Sequence, residues 1–534
     1  MVLSLLTDVD WFDILDRVSA AVNQLGYTNI IATSAGALAA YRVIYALYLS
    51  PLRNVPGPFL ARLTNKRAEL IGILGGQARK AREEYELYGD VYVYQPNAVS
   101  ISNPTDIRIV LGSHAFQKTV FYHSVNVLNE KTTFSACDPQ LASMKRRQIG
   151  PYFNSTYLAR AEPTIMKQGI HTIKEKWDRL LDRSTSGVAE VNFHKDFLLA
   201  TFDTIGALAF GRDFGALKND DSTIVKWMSA TLTYFGTHSI SPLLNIFPFS
   251  LLVWPWERYY NRLIAHSGKC IADRRELLER LGKGATDSEK PADLLQGLIE
   301  AEDPESKAKM TPVQVQAESI LMLTAGSETS SNTLSTTLHL LMLYPIHYKR
   351  AVEEVRSVFG KDHTITYSEA KSKLPFIEAC IYESMRVAPV TGGQWPRLAP
   401  KGGITLSSGH FIPAGTEINV NLSGANLNKD CWAEPYLFSP TRFVDDEKAK
   451  RNVYAFSYGV RVCPGRHLAW MEMLTILANI LKDYDFALPP GYTTRGPNVL
   501  DVNGYPKLMD SLHFFVTIPE NSLRDCRLAI SRRS

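Results

Sequence analysis

The stretch Phe456-Ser457-Tyr458-Gly459-Val460-Arg461-Val462-Cys463-Pro464-Gly465 sets one thiol at the head of a helix. Behind it, Gly465 to Leu474 is apolar at helical spacing, which predicts a helix with Pro464 at its first position and Cys463 at its cap. The free N–H groups and positive pole of a helix start favour thiolate over thiol, and a thiolate is a ligand for iron. Gly459 and Gly465 permit tight turns and close approach to a flat ligand. Arg461 suits an anionic group on that ligand's edge, and Phe456 packs beside the sulfur. Without such neighbours a lone cysteine reads as a buried, inert side chain.

The bulk composition is that of a globular chain. Its 534 residues are 45% hydrophobic and 10% aromatic, enough for a large core, and no linker, repeat or biased tract divides them. With 58 basic against 54 acidic residues, the charge balance gives no ground for nucleic acid or an acidic polymer as partner. Cys137, Cys270, Cys380, Cys431, Cys463 and Cys526 stand far apart, form no zinc-type pattern, and read as reduced thiols in a cytosol-facing protein.

Near the N-terminus, Ile30 to Leu49 is an apolar run of about twenty residues, roughly 30 Å as a helix and long enough to span a bilayer. Arg42 inside it can snorkel, and Tyr41, Tyr45 and Tyr48 suit an interfacial belt. Asp8, Asp10, Asp13 and Asp16 precede the run while Arg53, Arg62, Lys66 and Arg67 follow it, which places the C-terminal bulk in the cytosol. Trp11 to Val22 reads as a second helix, interfacial or merely surface. Residues 1–50 are thus expected to be a membrane anchor and 51–534 the catalytic body, joined by the rigid segment Leu52 to Pro58.

Within the body, Val91–Tyr94 and Val99–Ser102 predict a hairpin. Lys145-Arg146-Arg147 rides on a predicted helix, where a charge triplet is commonly a solvated face. Amphipathic helices are expected from Thr156 to Leu281. The Leu-, Phe- and Trp-rich stretch Pro242–Pro255 is either an entrance for substrate or membrane, or ordinary core and loop. Gly282 to Pro291 reads as a polar loop. Thr311, Pro312 and Gln314 form a capping box that opens a long helix running to about Tyr344. Gly326 within it costs about 1 kcal/mol relative to Ala and asks for a local reason. Glu383 and Arg386 share a helix face. Gly403–Leu406 and Thr416–Asn421 predict strands, and Val499–Ile518 a loop and hairpin.

Phe456, Gly459, Arg461, Cys463 and Gly465 together resemble the haem-thiolate loop of the cytochrome P450 superfamily, Phe-x-x-Gly-x-Arg-x-Cys-x-Gly. Ala325-Gly326-Ser327-Glu328-Thr329 is similar to its oxygen-activation segment, and Glu383-x-x-Arg386 with Arg442 of Phe438–Phe443 is similar to its charged triad. Pro56-Gly57-Pro58 resembles the proline-rich hinge of membrane-bound members. The resemblance runs from Val55 to Pro519. It implies a mostly α fold with a small β portion and an N-terminal membrane anchor, and haem b bound through its iron to the Cys463 thiolate. Arg146, Arg397 and Arg461 are then the haem-propionate partners, although Ala142 stands where the family usually has Trp or His. Glu328 and Thr329 are the distal acid and alcohol, on a helix that opens beside the haem.

The activity implied is monooxygenation, with one atom of O2 inserted into a small apolar substrate. Tyr45 to Pro58 resembles fungal secondary-metabolism members, which implies a secondary-metabolite intermediate. No flavin or nucleotide fingerprint is present, so electrons would come from a separate NADPH-cytochrome P450 reductase. The expected location is the endoplasmic reticulum membrane, with the catalytic domain facing the cytosol. Two alternatives share the fold: an isomerase or dehydratase that needs neither O2 nor reductase, and a non-catalytic haem carrier. The intact Glu328–Thr329 pair argues against the first.

Overall fold

The structure, a computed structural model, describes residues 11–240, 244, 246–282, 290–291 and 293–533. Asp8 and Asp10, residues 242, 243 and 245 of the apolar stretch, and 283–289 of the expected polar loop lie outside them.

The long helix Pro312–Leu343 is the axis of the body. Its Thr311–Gln314 capping box forms as predicted, and Tyr344 caps its end before Pro345. Apolar side chains on several faces, including the fully buried Leu334, Leu338 and Leu341, demand partners on more than one side. Helix Phe193–Phe210 packs against it, as do Pro375–Val387 and the post-cysteine helix Arg466–Asp483. The Thr201 hydroxyl donates to the Ser327 carbonyl at 2.9 Å. A Cβ at Gly326 would lie 2.9 Å from Ile205 Cδ1, so close helix packing is the local reason for this glycine. The helix is continuous through Thr329, and the opening implied by the family resemblance is not formed.

Helix occupies 58% of the structure and strand 11%, the mostly α class expected. The predicted hairpin Val91–Gln95/Ala98–Ile101 joins a four-stranded sheet through a parallel pairing of Ala98–Ile101 with Glu417–Asn421. Gln394–Leu398 closes the sheet at its edge, where Pro396 costs no ladder bond. A three-stranded sheet, Val188–Asn192, Arg527–Arg532 and Tyr484–Ala487, was not anticipated. Its strands are short, and the pairing of Val188–Asn192 with Arg527–Arg532, over 300 residues away, leaves no local signal.

The N-terminal segment corrects the two-helix reading. Trp11–Ile44 is one helix, followed by a wider turn Tyr45–Leu49. Asn29–Leu49 is long and apolar enough to cross a membrane, and only 6% of its most apolar window is buried, so it is not a core helix. The join to the body is fixed: the Val93 N–H donates to the Pro56 carbonyl at 2.7 Å, and Gly57, at φ +148°, lies too close to Val93 for any side chain. In the apolar stretch, Ile246, Phe247, Phe249, Leu251, Leu252 and Trp254 are exposed, against the reading as core.

Behind the cysteine loop, Glu383 and Arg386 are fully buried and joined by two bonds of 2.6 and 2.7 Å. Arg442 completes the triad at 3.3 Å, and the Ser439 N–H donates to the same carboxylate at 2.8 Å. Arg386 also donates to the carbonyls of Asn426, Pro435 and Leu437, so the region is knitted to one side chain.

Candidate functional site

A cavity of about 340 Å³ lies between the long helix, the cysteine loop and the edge strand Gln394–Leu398. Cys463, Arg461, Phe456 and Gly465 reach it from the loop, Arg146 from helix Pro139–Ile149, Arg397 from the edge strand and Thr329 from the long helix. Of the candidate residues, Glu328 and Gly459 do not line it.

The loop is tied at its ends by the Cys463 N–H, which donates to the Phe456 carbonyl at 2.8 Å. Between them the chain makes a 3-10 turn, Gly459–Arg461. Gly459 sits at φ +57° with Gly112 Cα only 2.7 Å from where a Cβ would be. Its freedom therefore serves packing on helix Pro104–Gly112 rather than approach to a ligand. The helix begins at Arg466 with Gly465 as cap, so Cys463, the expected cap, stands two residues ahead of the observed one. Phe456 packs on Trp470, ring centroids 6.3 Å apart.

Cys463 is deep in the protein, yet its sulfur is accessible because it faces the cavity. Burial pushes its thiol up, while the Gly465 N–H and the guanidinium groups of Arg146 and Arg466 pull the other way. Burial thus works against the thiolate bias read from sequence. Coordination to a metal is what deprotonates such a thiol. Arg146 Nη1 donates to the Val462 carbonyl at 2.8 Å and so braces the peptide that carries the sulfur.

At one wall of the cavity Arg461, Arg397 and Lys118 gather, with no ion pair to any of them among the described residues. Arg461 is buried with Nε and Nη2 unpartnered, and Arg397 leaves Nε unpartnered. Arg397 Nη1 donates to the Tyr122 hydroxyl and to the Pro396 carbonyl, the latter at 2.7 Å. Lys118 joins them, donating to the Phe134 carbonyl, and it was not singled out in the sequence. Burial, then Arg397, Arg461 and Arg146, hold its ammonium well below the usual range. Arg461 is lowered to about 10 by burial and by Arg397 and Arg146. Buried guanidinium N–H groups without acceptors are costly, so this wall is built for an anionic ligand edge. A flat group with carboxylates at one edge and a metal for the Cys463 sulfur fits these residues, as haem does. Lys118 and Tyr122 supply donors where Ala142 supplies none. Their sequence signal is one cation in the aromatic run Phe116 to Tyr122.

On the long helix, the Thr329 hydroxyl donates to the Ala325 carbonyl at 2.7 Å. Glu328 turns to helix Thr223–Ile240, where the Ser229 hydroxyl donates to its carboxyl at 3.0 Å. Burial pushes Glu328 up to about 7, with Ser229 opposing. The far wall is apolar: Phe134, Trp395 and Phe515 pack edge to face with centroids 5.7 to 6.2 Å apart. Phe515 belongs to the turn between Ser511–His513 and Thr517–Pro519, the predicted C-terminal hairpin returning to the cavity.

Comparison with known proteins agrees with this geometry. The family model for cytochrome P450 matches residues 56–500. Cytochrome P450 monooxygenase helB1 of Aspergillus fumigatus is 46% identical over 96% of this chain and 87% of its own length. Cytochrome P450 monooxygenase helB2 of the same organism is 47% identical over 92% of this chain and 96% of its own. A crystal structure of a cytochrome P450 superposes with a TM-score of 0.68 at 19% identity, covering 85% of this chain and 94% of that one, which supports the fold. The chain belongs to the cytochrome P450 family. It is a P450 monooxygenase, and the family's cofactor is haem b with a cysteine thiolate on the iron.

Proposed function

We propose that residues 51–534 form a catalytic body that oxygenates a small apolar molecule, a fungal secondary-metabolite intermediate, with electrons from NADPH-cytochrome P450 reductase. The observation that carries this reading is the meeting in one cavity of Cys463, the unpartnered guanidinium N–H groups of Arg461 and Arg397, and Thr329. Among the six cysteines, Cys463 is the one in the cavity lining. The apolar wall and the fungal relatives support the substrate class.

Bound haem supplies dioxygen activation, driven by electron donation from its thiolate ligand. Cys463 is the ligand, held by its own N–H bond to Phe456 and by the Arg146 brace on Val462. Arg461 and Arg397 neutralise the propionates, and Lys118 adds a third cation. Arg146, occupied at Val462, retains further N–H groups for the same edge. Phe456, packed on Trp470, lines the cavity with the sulfur, Gly465 leaves room beside it, and Gly459 fixes the loop. Thr329 lines the same cavity from the long helix, where its hydroxyl would orient water and pass protons. Glu328, with a carboxyl near neutrality, is the acid behind it.

Residues 1–50 anchor the protein in the endoplasmic reticulum with the body in the cytosol. The exposed side chains from Ile246 to Trp254 give that membrane a second apolar contact. The test is turnover in microsomes that carry this protein and the reductase, supplied with extracts of a strain deleted for the gene. NADPH-dependent product with one atom from labelled O2 is expected. Product without NADPH, or with label taken from water, would favour the isomerase or dehydratase reading.

A further inference from the structure

We propose that the Glu318 carboxyl and the Thr133 hydroxyl together bind a hydroxyl group of the substrate, so that the molecule oxygenated is a neutral, otherwise apolar alcohol. The inference rests on the reading of this cavity as the substrate chamber of a monooxygenase. Glu318 lies on the long helix eleven residues before Thr329, about three turns back on the same face and about 16 Å along the axis. Both line the cavity, with the apolar Leu321, Met322 and Ala325 between them, and Thr133 lines it from the segment ahead of helix Pro139–Ile149.

In this apolar chamber the two side chains make a polar corner. Glu318 is 1% exposed and Thr133 5%. One carboxyl oxygen, Oε1, is engaged, since the Thr133 N–H donates to it at 2.8 Å and the Lys145 ammonium at 3.2 Å. The other, Oε2, has no hydrogen-bond partner among the described residues, and the Thr133 hydroxyl makes no bond of good geometry there either. Buried polar groups left unmet are costly, and a ligand that meets both recovers that cost.

The chemistry of the corner selects the group. Glu318 Oε2 accepts and the Thr133 hydroxyl can donate, so one ligand O–H gives its proton to the first and takes one from the second. A carbonyl or ether oxygen would serve Thr133 and leave Oε2 unmet. An ammonium is not called for, because Lys145, itself buried, already balances the carboxylate. Burial pushes the Glu318 carboxyl up, and the Lys145 ammonium, then Thr133, pull it back toward the ionised, accepting form. With Glu318 about 16 Å from Thr329 along the helix, a substrate held there is oxygenated at a carbon remote from its hydroxyl.

The test uses the haem-loaded full-length enzyme with 1-dodecanol and n-dodecane as probes, read by the shift of the haem absorption band on titration. Wild type should bind the alcohol about ten-fold or more tightly than the alkane. That ratio should fall to about two or less in Thr133→Val, which keeps the backbone N–H and the side-chain shape, and in the charge-balanced double variant Glu318→Gln/Lys145→Met. T133V reports on the corner even where the double variant fails to fold. No response to the alcohol, equal affinity of wild type for the two probes, or an undiminished preference in T133V would overturn the assignment. A merely structural tie between Glu318 and the Thr133 segment would weaken both probes together and leave the ratio unchanged, which also overturns it. In turnover, product from the deletion-strain extract should be lost once the hydroxyls of that extract are acetylated, and undiminished product would count equally against the proposal. Product without NADPH would instead contradict the monooxygenase reading, and the probe ratio, read without turnover, keeps the two failures apart.

Discussion

The Ser229 hydroxyl donates to the Glu328 carboxyl at 3.0 Å, so the acid beside Thr329 is held against a neighbouring helix, outside the lining of the cavity that Thr329 faces. Burial there pushes the carboxyl from 4.5 to about 7. A folded state that holds a proton the unfolded chain has released loses stability as pH rises.

Glu328→Gln removes that proton exchange. Both forms of the wild type are protonated below about pH 4.5, and stability drains from there to about pH 7, by at most about 1.4 kcal/mol per pH unit. The stability of E328Q relative to wild type should therefore climb between those limits and then level off. Urea midpoints measured from pH 4.5 to 8 check this, and parallel curves would contradict the buried neutral acid.

Glu383→Ala should cost about 3–5 kcal/mol, because it leaves the fully buried Arg386 charge unpaired. Arg442→Ala should cost less, since Arg442 is partly exposed and makes a longer contact of 3.3 Å. Thermal unfolding and the yield of haem-loaded protein would rank the two. Equal losses would argue against a network centred on the Glu383–Arg386 pair.

The two loop glycines should behave differently. Gly459→Ala forces a Cβ into the Gly112 backbone at a left-handed φ and should destabilise by about 2 kcal/mol or more. Gly465 has an ordinary φ of −76°, and a Cβ there would rest 3.9 Å from the Cys463 sulfur, so Gly465→Ala should fold nearly normally. Comparing their unfolding midpoints decides the point.

How much of this was legible in the sequence depended on range. The capping box of the long helix, the hairpin Val91–Gln95/Ala98–Ile101, and Cys463 with Arg461 are local patterns and were readable, whereas Arg397 was legible only through the family resemblance. Lys118 was not, because its role exists only once Gln117 pairs with Leu398 and brings the 118–122 segment against the edge strand. The pairing of Val188–Asn192 with Arg527–Arg532 was hidden for the same reason. Gly326 was noticed for its helix cost, but Ile205, its cause, lies on another helix.

Lys118→Met should split two properties that usually move together. Removing an ammonium that its surroundings hold well below its normal range should stabilise the haem-free protein. Removing a cation from the anion-binding wall should speed haem loss. Haem transfer to apomyoglobin, read beside the unfolding midpoint of the haem-free protein, tests both. Slower haem transfer would contradict the role of Lys118.

The central claim is that Cys463 carries the haem iron, and the carbon-monoxide difference spectrum of the reduced Cys463→Ser protein tests it most directly. A serine keeps the loop, with the backbone bond to Phe456 intact, but removes the electron-rich sulfur. The thiolate-type band present in wild type should be lost, together with NADPH-dependent product, while the protein stays folded. Retention of that band and of turnover in the serine variant would contradict the assignment.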